Sequence, residues 1–488
     1  MEPKGTRRVI VTGQAHRPAG KPLGLLSLIL GLTVFVTACG GGTPTNTVAP
    51  AATTAPTTAA VTRTTAATTG AAAQATTTRA TTTAAASTAT RATTTTAAVT
   101  TATRATSTTV AGGVGTATRT STAAGTAVAS ATAVPLGTGV AAATPNASIA
   151  IAGPFPGEAN ALNGTGATFP QPLYNRWFDD YSRLTNVRVN YQGSGSGAGK
   201  NAIRDGTADF AGSDSPMTNQ EQDAARGRCG ENILHIPTTL GAIVIAYNLP
   251  GVTQTLRMDG DTIAGIFSAQ ITRWNDQRIA ALNPGVTLPN QEIIVVRRSD
   301  SSGTTQNFTE FLSSANQQWR STLRSGTTIN WPGSTLGAQG NQGVAGEIRN
   351  NQYAVGYVEL AFAKQSQLPF ADVRNQAGNF VTANADSVTA AGQAQAPTLP
   401  EDLRGFITNA PGAQSYPITA ITWILVCPRQ TDQAKAVALT RLLWWSTHEG
   451  QRLNAELDYA PLPNALVVRG EQFINQVTVN GQRAFPGR

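Results

Sequence analysis

The feature that most constrains what this chain can fold into is a long stretch without acidic residues. Between Gly40 and Gly157 there is no Asp or Glu, and threonine and alanine dominate. Such a composition cannot bury enough apolar surface to offset the entropy lost when a chain becomes ordered. We therefore expect a disordered tether from Thr43 to about residue 150, with a root-mean-square reach of roughly 50–60 Å for about a hundred residues. A packed core has to come from the residues that follow.

The amino terminus has the pattern of a secretion signal. Basic residues precede an apolar segment from Leu23 to Ala38, which is short for a membrane span. The segment ends in small residues before Cys39 and three glycines, an arrangement that resembles a bacterial lipobox. Signals of that family lose the peptide, here residues 1–38, and the cysteine becomes the lipidated first residue; the alternative is an uncleaved anchor. Both place the rest outside the cytoplasm on a tether over residues 39–157, which is a plain spacer or carries O-linked sugar.

The net charge does not indicate nucleic-acid binding once the chain is divided. The formal charge is +8, but ten basic residues and one acidic residue lie before or at Gly157. The remainder holds 25 basic and 26 acidic residues and is nearly neutral. The three histidines are scattered and have no metal-ligand spacing. We therefore expect neither a nucleic-acid partner nor a metal or other cofactor.

Two long apolar segments, far apart in sequence, organise the folded part. Ile233–Asn248 and Ile418–Val426 are nearly continuous apolar runs, which favour buried strands. The residues between them alternate strand and helix patterns. The sequence therefore predicts an α/β protein with two lobes hinged on these two strands, with lobe I over 158–240 and 419–488 and lobe II over 241–418.

Two cysteines remain once Cys39 is assigned to lipid. If the two long strands pair antiparallel, Leu234 at the start of one lies beside Cys427 at the end of the other. Cys229 precedes that start by a few residues. Outside the cytoplasm a disulfide between Cys229 and Cys427 is permitted, and two free thiols are the alternative.

A strand that runs into a polar turn and then a helix marks the candidate site. The apolar run Ile293–Val296 predicts a buried strand, Arg298 and Asp300 follow it, and helical spacing begins around Gln306. The unpaired N–H groups and the dipole of a first helical turn attract anions. A guanidinium that grips two oxygens favours an oxyanion. The alternative is an arginine that only caps its own loop and pairs with Asp300.

Three further loops have the same small, polar character. Gly164–Pro170 leads into a helical pattern, and Gly193–Gly199 contains four glycines that let a backbone approach a ligand closely. Lys200 follows this loop, but the next residue is neither Ser nor Thr, so the loop is not a Walker nucleotide loop. Asp209–Met217 ends a short strand and includes Asp214, which is either a site residue or a helix-start residue.

Five motifs, in this order, resemble the phosphate-binding proteins of bacterial high-affinity phosphate ABC transporters. The resemblance covers about residues 160–470. It implies a type II periplasmic-binding fold, in which two α/β lobes close around one dehydrated phosphate. It also implies a monomer without enzymatic activity that delivers inorganic phosphate to ABC permease subunits in the cytoplasmic membrane. The motifs are Gly164–Pro170, Tyr191–Gly193, Gly212–Pro216, Val296–Thr304 and Gly356–Glu359.

Carried over motif by motif, the resemblance implies eight phosphate contacts. In it, backbone N–H and hydroxyl groups donate to the ligand from helix starts in both lobes, while Asp214 accepts a proton from the ligand and Asp300 orients the arginine. The glycine loop departs slightly from the family pattern. The implied contacts are Thr168, Phe169, Ser196, Asp214, Arg298, Ser302, Gly303 and Thr304.

A buried carboxylate in an anion site has a physical use. Phosphate near neutral pH still carries a proton and can donate it to Asp214, whereas sulfate carries none. Sulfate would place two acceptors against each other and leave a buried charge unpaired, which costs several kcal/mol. The arrangement therefore favours phosphate over sulfate.

Other functions remain open at this level. A receptor for sulfate or molybdate belongs to the same class of binding module. A secreted phosphatase or phosphotransferase would use Ser302 or Ser196 as nucleophile, but the sequence offers no histidine or metal cluster to activate a serine. A structural surface protein is supported only by the threonine-rich tether.

Overall fold

The computed structural model describes residues 144–146 and 148–487. The predicted signal segment, Cys39 and most of the predicted tether lie outside these residues. The strands are β1 Ala161–Gly166, β2 Arg188–Gly193, β3 Phe210–Ser213, β4 Leu234–Tyr247, β5 Arg257–Met258, β6 Ile294–Arg298, β7 Thr335–Ala338, β8 Ala354–Glu359, β9 Asp372–Arg374, β10 Phe380–Val381, β11 Thr419–Val426, β12 Arg429–Gln430, β13 Thr478–Val479 and β14 Gln482–Arg483.

Helices follow most of these strands, as expected for an α/β protein. Three short 3₁₀ helices lie at Ala396–Thr398, Glu449–Leu453 and Ala455–Leu457. The α-helices are α1 Gln171–Thr185, α2 Ser196–Asp205, α3 Asn219–Cys229, α4 Gly260–Phe267, α5 Gln277–Leu282, α6 Gly303–Ala315, α7 Gln317–Thr322, α8 Gly340–Asn350, α9 Leu360–Gln365, α10 Ala385–Gln395, α11 Gln433–Thr447 and α12 Asn464–Ile474.

An eight-stranded sheet joins two parallel blocks through antiparallel strands. Its order is β2-β1-β3-β11-β4-β8-β6-β7. The first block, β1 with β2 and β3, is parallel, and so is the last, β6 with β7 and β8. Between them, β11 is antiparallel to β3 and to β4, and β4 is antiparallel to β8. We call the part that contains β1–β3 lobe I and the part that contains β6–β8 lobe II.

Strand β4 belongs to both lobes because it changes partner along its length. Its first part, Leu234–Ala242, pairs with β11, and its second part, Ile243–Tyr247, pairs with β8. All fourteen of its residues are buried, which explains the continuous apolar run. The chain returns to lobe I through β11. The predicted α/β fold with two lobes joined by two strands is thus confirmed, whereas the exact lobe limits stay predictions.

Aromatic clusters fill both lobes. In lobe I, Tyr174 and Phe178 lie on one face of α1, with ring centroids 5.3 Å apart. In lobe II, Phe308 of α6 stacks on Tyr357 of β8 with centroids 4.4 Å apart, and Phe267 packs edge-on against Phe308 at 4.8 Å. Such contacts stabilise beyond the area they bury. The Phe308 stack holds α6 against β8, and Tyr174 holds α1 against β2 through an edge-on contact with Tyr191.

The chain before β1 also packs on lobe I. The carbonyl of Ile149 accepts a hydrogen bond from the indole N–H of Trp444 at 2.9 Å, and that of Gly153 accepts one from Arg441 at 2.5 Å. Arg441 also pairs with buried Glu158 at 2.6 Å. The predicted tether limit at residue 157 therefore lies inside a packed segment, because these contacts, made with α11, cannot be read from local composition.

The structure joins Cys229 and Cys427 by a disulfide, with their Cα atoms 4.8 Å apart. The antiparallel register of β4 and β11 pairs Leu234 with Val426, so the end of α3 and the end of β11 lie together within lobe I.

In the described part of the chain, no helix is long and apolar enough to cross a membrane. The same residues contain no cluster of three or more potential metal ligands.

Candidate functional site

The first wall of the site is the turn between β1 and α1. Gly166 has a φ of +136°, and a Cβ there would lie 2.1 Å from the carbonyl oxygen of Gly212, so only glycine fits. Thr168 and Phe169 follow, 1% and 0% exposed. The Phe169 carbonyl accepts a hydrogen bond from the hydroxyl of Tyr459 at 2.6 Å. This bond fixes the backbone just before α1 and aims its first N–H groups into the cleft.

The glycine loop brings lobe I against lobe II. Gly195 has a φ of +97°, and a Cβ there would lie 2.4 Å from a carboxylate oxygen of Asp300. The N–H of Gly197 donates to the carbonyl of Ser301 across the cleft at 3.0 Å. Helix α2 begins at Ser196, within the loop. The glycines are therefore needed for close approach of the lobes.

Asp214 follows β3 and is 1% exposed. One carboxylate oxygen accepts a hydrogen bond from Thr422 at 2.9 Å, and the other lies 3.4 Å from the hydroxyl of Ser196. Burial raises the pKa of Asp214 to about 7, against the opposing effects of the Thr422 hydrogen bond and the Arg298 charge. Asp214 is not a helix-start residue, because α3 is capped by Thr218.

Arg298, at the end of β6, is held on two sides. Its Nε donates to Asp300 at 2.7 Å, and a second guanidinium nitrogen also pairs with that carboxylate. Its Nη1 lies 3.3 Å from the hydroxyl of Thr304, and its backbone N–H donates to the hydroxyl of Tyr357 at 3.1 Å. Burial tends to raise the pKa of Asp300, but hydrogen bonds from Arg298 outweigh it and hold that pKa below its usual value. The predicted pairing of Asp300 with Arg298 is present.

Helix α6 starts at the candidate site. It begins at Gly303, three residues before the predicted start, because Ser302 caps it by accepting a hydrogen bond from the N–H of Thr305 at 3.1 Å. The N–H of Gly303 donates to the hydroxyl of Ser196 in lobe I at 3.1 Å. At the other end of the preceding strand, Ile294 is 38% exposed, so the buried part of the predicted run starts at Val295, two residues after its predicted start at Ile293.

Hydrogen bonds across the cleft join the predicted site residues of the two lobes. Thr168 of lobe I is linked through Asn341 to Thr304 and so to Arg298. Ser196 is linked to both Asp214 and Gly303. All eight residues lie in or beside this network. Their role in ligand binding stays a prediction.

Within the described residues, several backbone donors of the network have no protein acceptor, and two of them stand on opposite sides of the cleft. Among residues 144–146 and 148–487, the N–H groups of Phe169 and Thr304 make no hydrogen bond to protein. Phe169 precedes α1 in lobe I, and Thr304 lies in the first turn of α6 in lobe II. Because buried N–H groups are almost always paired, these donors suit a ligand with acceptor oxygens. Together with Arg298 they can hold an oxyanion.

Two residues of the network were not predicted from the sequence. Asn341 lies in the first turn of α8 and is fully buried. Thr422 lies in β11 and donates to Asp214. A signal for Asn341 existed, because a strand and a polar residue precede α8 and the helix itself begins at a glycine, as for α6. No local signal marks Thr422, which reaches the site only through the pairing of β11 with β3.

Two α/β lobes that meet across a cleft lined by helix N-termini and buried charged groups define a two-lobed binding protein. A family model described as a PBP superfamily domain matches residues 153–439. The chain belongs to this superfamily and, within it, to the family of phosphate-binding proteins PstS.

Similarity to relatives spans the described part of the chain. The phosphate-binding protein PstS of Pasteurella multocida is 38% identical over 311 residues, which are 64% of this chain and 88% of that protein. PstS of Methanocaldococcus jannaschii is 34% identical over 335 residues, which are 65% and 86%. A solved phosphate-binding protein of Stenotrophomonas maltophilia shares the fold with a TM-score of 0.52 at 21% identity, covering 67% of this chain and 99% of that one. These relatives are named as binding proteins, not enzymes.

Proposed function

We propose that this chain is an extracytoplasmic receptor that binds inorganic phosphate between its two lobes and delivers it to an ABC permease. The observation that carries the proposal is the hydrogen-bond network across the cleft. It contains the N-termini of α1 and α6, Arg298 held by Asp300, and the buried carboxyl of Asp214. Donors and a cation suit an oxyanion. A single acceptor suits an oxyanion that still carries a proton.

The state of Asp214 supports phosphate over sulfate or molybdate. Its pKa of about 7 lies where phosphate itself exchanges a proton, so one proton can be shared between the carboxyl and a ligand oxygen. Sulfate brings no proton at this pH. A sulfate oxygen would face the Asp214 carboxylate with no hydrogen between them. Leaving a buried acceptor unpaired costs about 1–3 kcal/mol, and more when the acceptor is charged.

Attachment and delivery complete the proposal. Lipidation at Cys39 would hold the monomeric receptor at the outer face of the cytoplasmic membrane, and the threonine-rich tether would give it reach.

We propose lobe limits at 158–240 with 419–488 and at 241–418. Strand β4 changes partner between Ala242 and Ile243, two residues after the first proposed limit, which supports these bounds. A ligand that contacts both lobes can then close them about β4 and β11.

Calorimetry of the purified chain with phosphate, sulfate and molybdate tests the proposal. We expect tight one-to-one binding of phosphate and much weaker binding of the other two anions. Preferential binding of sulfate or molybdate would assign the receptor to another oxyanion. If none of the three anions produced heat of binding, the oxyanion site would be rejected.

Metabolic labelling with a lipid precursor in the native host tests the anchor separately. We expect the label on the parent chain and its loss in Cys39→Ala. Equal labelling of both chains would reject Cys39 as the lipid site. Phosphate binding by the purified proteins is expected to be the same, because Cys39 lies outside the described fold.

A further inference from the structure

Three buried hydroxyl groups in the cleft share one feature: each accepts two N–H hydrogen bonds. The Ser196 hydroxyl accepts from the N–H groups of Gly303 at 3.1 Å and Asp214 at 3.2 Å. The Thr168 hydroxyl accepts from the backbone N–H of Asn341 at 3.1 Å and from its Nδ2 at 3.0 Å. The same pattern recurs in lobe II.

In lobe II the hydroxyl concerned is that of Thr304. It accepts from Nη1 of Arg298 at 3.3 Å and from Nδ2 of Asn341 at 3.2 Å. The two hydrogens of the Asn341 amide thus go to one hydroxyl in each lobe. Asn341 therefore touches both threonines that the site hypothesis places against the ligand.

A hydroxyl group has one hydrogen to donate and two lone pairs to accept with. When both lone pairs are occupied by N–H donors, the hydroxyl can only donate further. Thr168 and Thr304 are 1% and 0% exposed, and among the described residues neither hydroxyl donates to a protein acceptor. Their hydrogens are left for a ligand oxygen.

The orientation of the Asn341 amide is itself determined by a third contact. Its Oδ1 accepts a hydrogen bond from the backbone N–H of Glu359 at 3.0 Å. A backbone N–H can only donate, so the oxygen must face Glu359 and the NH₂ group must face the two hydroxyls. The reversed amide would place two donors against each other at Glu359 and an acceptor against the threonines.

We propose that Asn341 is a positioning residue that makes the hydroxyls of Thr168 and Thr304 donate to the bound oxyanion. The inference rests on the proposed phosphate-binding function and adds to it a determinant of hydrogen-bond direction. Asn341 occupies the lone pairs through which those hydroxyls would otherwise repel ligand oxygens. The site then presents donors on nearly every side, and Asp214 is the acceptor reserved for the ligand proton.

A double-mutant cycle separates this role from simple packing. Phosphate affinity of the purified full chain is measured by calorimetry for the parent, Asn341→Ala, Thr168→Val and the double variant. We expect Asn341→Ala to weaken binding about tenfold or more in the parent and clearly less in the Thr168→Val chain, because only the Thr304 hydroxyl is then left for Asn341 to orient. Asn283→Ala is the matched control, since Asn283 is also buried and bonds backbone carbonyls of Arg257 and Ile279 away from the cleft.

Each outcome decides the inference. An equal loss of affinity in the parent and in the Thr168→Val chain, or no loss in either, would overturn it while the receptor function stands. Failure of the parent to bind phosphate would overturn the receptor function itself. If thermal melting shows that Asn341→Ala does not fold, Asn341→Ser takes its place in the same cycle, because serine keeps a small polar side chain there and its single hydrogen cannot go to both threonine hydroxyls.

Discussion

The two lobes bring different chemistry to the same cleft. Lobe II contributes a cation and a helix start that other groups already hold in place: Arg298 is paired with Asp300, and α6 is fixed by the stack of Phe308 on Tyr357. Lobe I contributes Asp214, whose carboxyl meets hydroxyl groups and whose pKa burial raises to about 7.

This difference separates affinity from selectivity. A preorganised guanidinium and helix N-terminus attract oxyanions in general, because they respond to negative charge. A desolvated carboxyl repels a fully deprotonated oxyanion and tolerates one that carries a proton. Changes in lobe II should therefore alter how tightly phosphate binds, and changes at Asp214 should alter which anion binds.

Removal of the lobe II cation should have the largest effect. Arg298→Ala is expected to weaken phosphate binding by about 3–5 kcal/mol, because the ligand loses its bidentate partner and the half-buried Asp300 loses its cation. Calorimetry measures the change. Arg297→Ala is the control, since Arg297 donates hydrogen bonds to Thr335 and to the carbonyl of Arg298. The phosphate affinity of this variant should stay within about threefold of the parent. Comparable losses in the two variants would contradict a special role for Arg298.

The protonation of Asp214 should appear in the pH dependence of stability. A carboxyl with a raised pKa holds its proton in the folded state after the unfolded chain has lost it, so stability falls as pH rises. For Asp214 the window runs from its ordinary pKa near 4 to about 7, and the loss reaches up to about 4 kcal/mol. Glu359, whose pKa burial raises to about 8, acts in the same direction.

Urea unfolding without phosphate, at several pH values between 4 and 8, tests this expectation. The parent should lose stability more steeply across the window than Asp214→Asn, which retains only the contributions of other groups such as Glu359. Parallel pH profiles for the two proteins would show that the carboxyl of Asp214 ionises normally in the folded state.

Selectivity should change at the same residue. In Asp214→Asn we expect the preference for phosphate over sulfate to narrow by about 2–3 kcal/mol, since a carboxamide can donate to a sulfate oxygen. Competition calorimetry with the two anions measures the ratio. Asp209→Asn is the control because Asp209 pairs with Lys435 at the surface. A ratio that Asp214→Asn leaves unchanged would remove Asp214 from anion discrimination.

Contact between the lobes should make the smallest contribution. A Cβ at Gly303 would lie 2.5 Å from the hydroxyl of Ser196 and 2.8 Å from Cβ of Asp214. Gly303→Ala should therefore weaken phosphate binding by about 1–3 kcal/mol through overpacking. Gly346→Ala serves as control, because a Cβ there meets nothing within 4 Å. Small-angle scattering with phosphate should show a less closed Gly303→Ala chain, and identical profiles would argue against this explanation.

Local pattern predicted much of the lobe II wall. The strand, the two charged residues and the buried face of α6 follow from apolar spacing near Phe308 and Leu312. The local pattern placed the start of α6 too late, because the Ser302 cap and the contact of Gly303 with Ser196 decide where the helix begins. Asn341 was missed although its turn resembles that of α6, since only the fold shows that it meets Thr168.

The sequence by itself determined the alternation of strands and helices, the two long strands that join the lobes, and the family motifs with their order. These depend on apolar periodicity and on residue types that local chemistry requires. Tertiary structure alone decided the hydrogen bond from Thr422 to Asp214, the raised pKa of that carboxyl and the link through Asn341. The physical reason is that desolvation and hydrogen-bond direction depend on neighbours far away in the chain, which come together only when β4 and β11 join the two lobes.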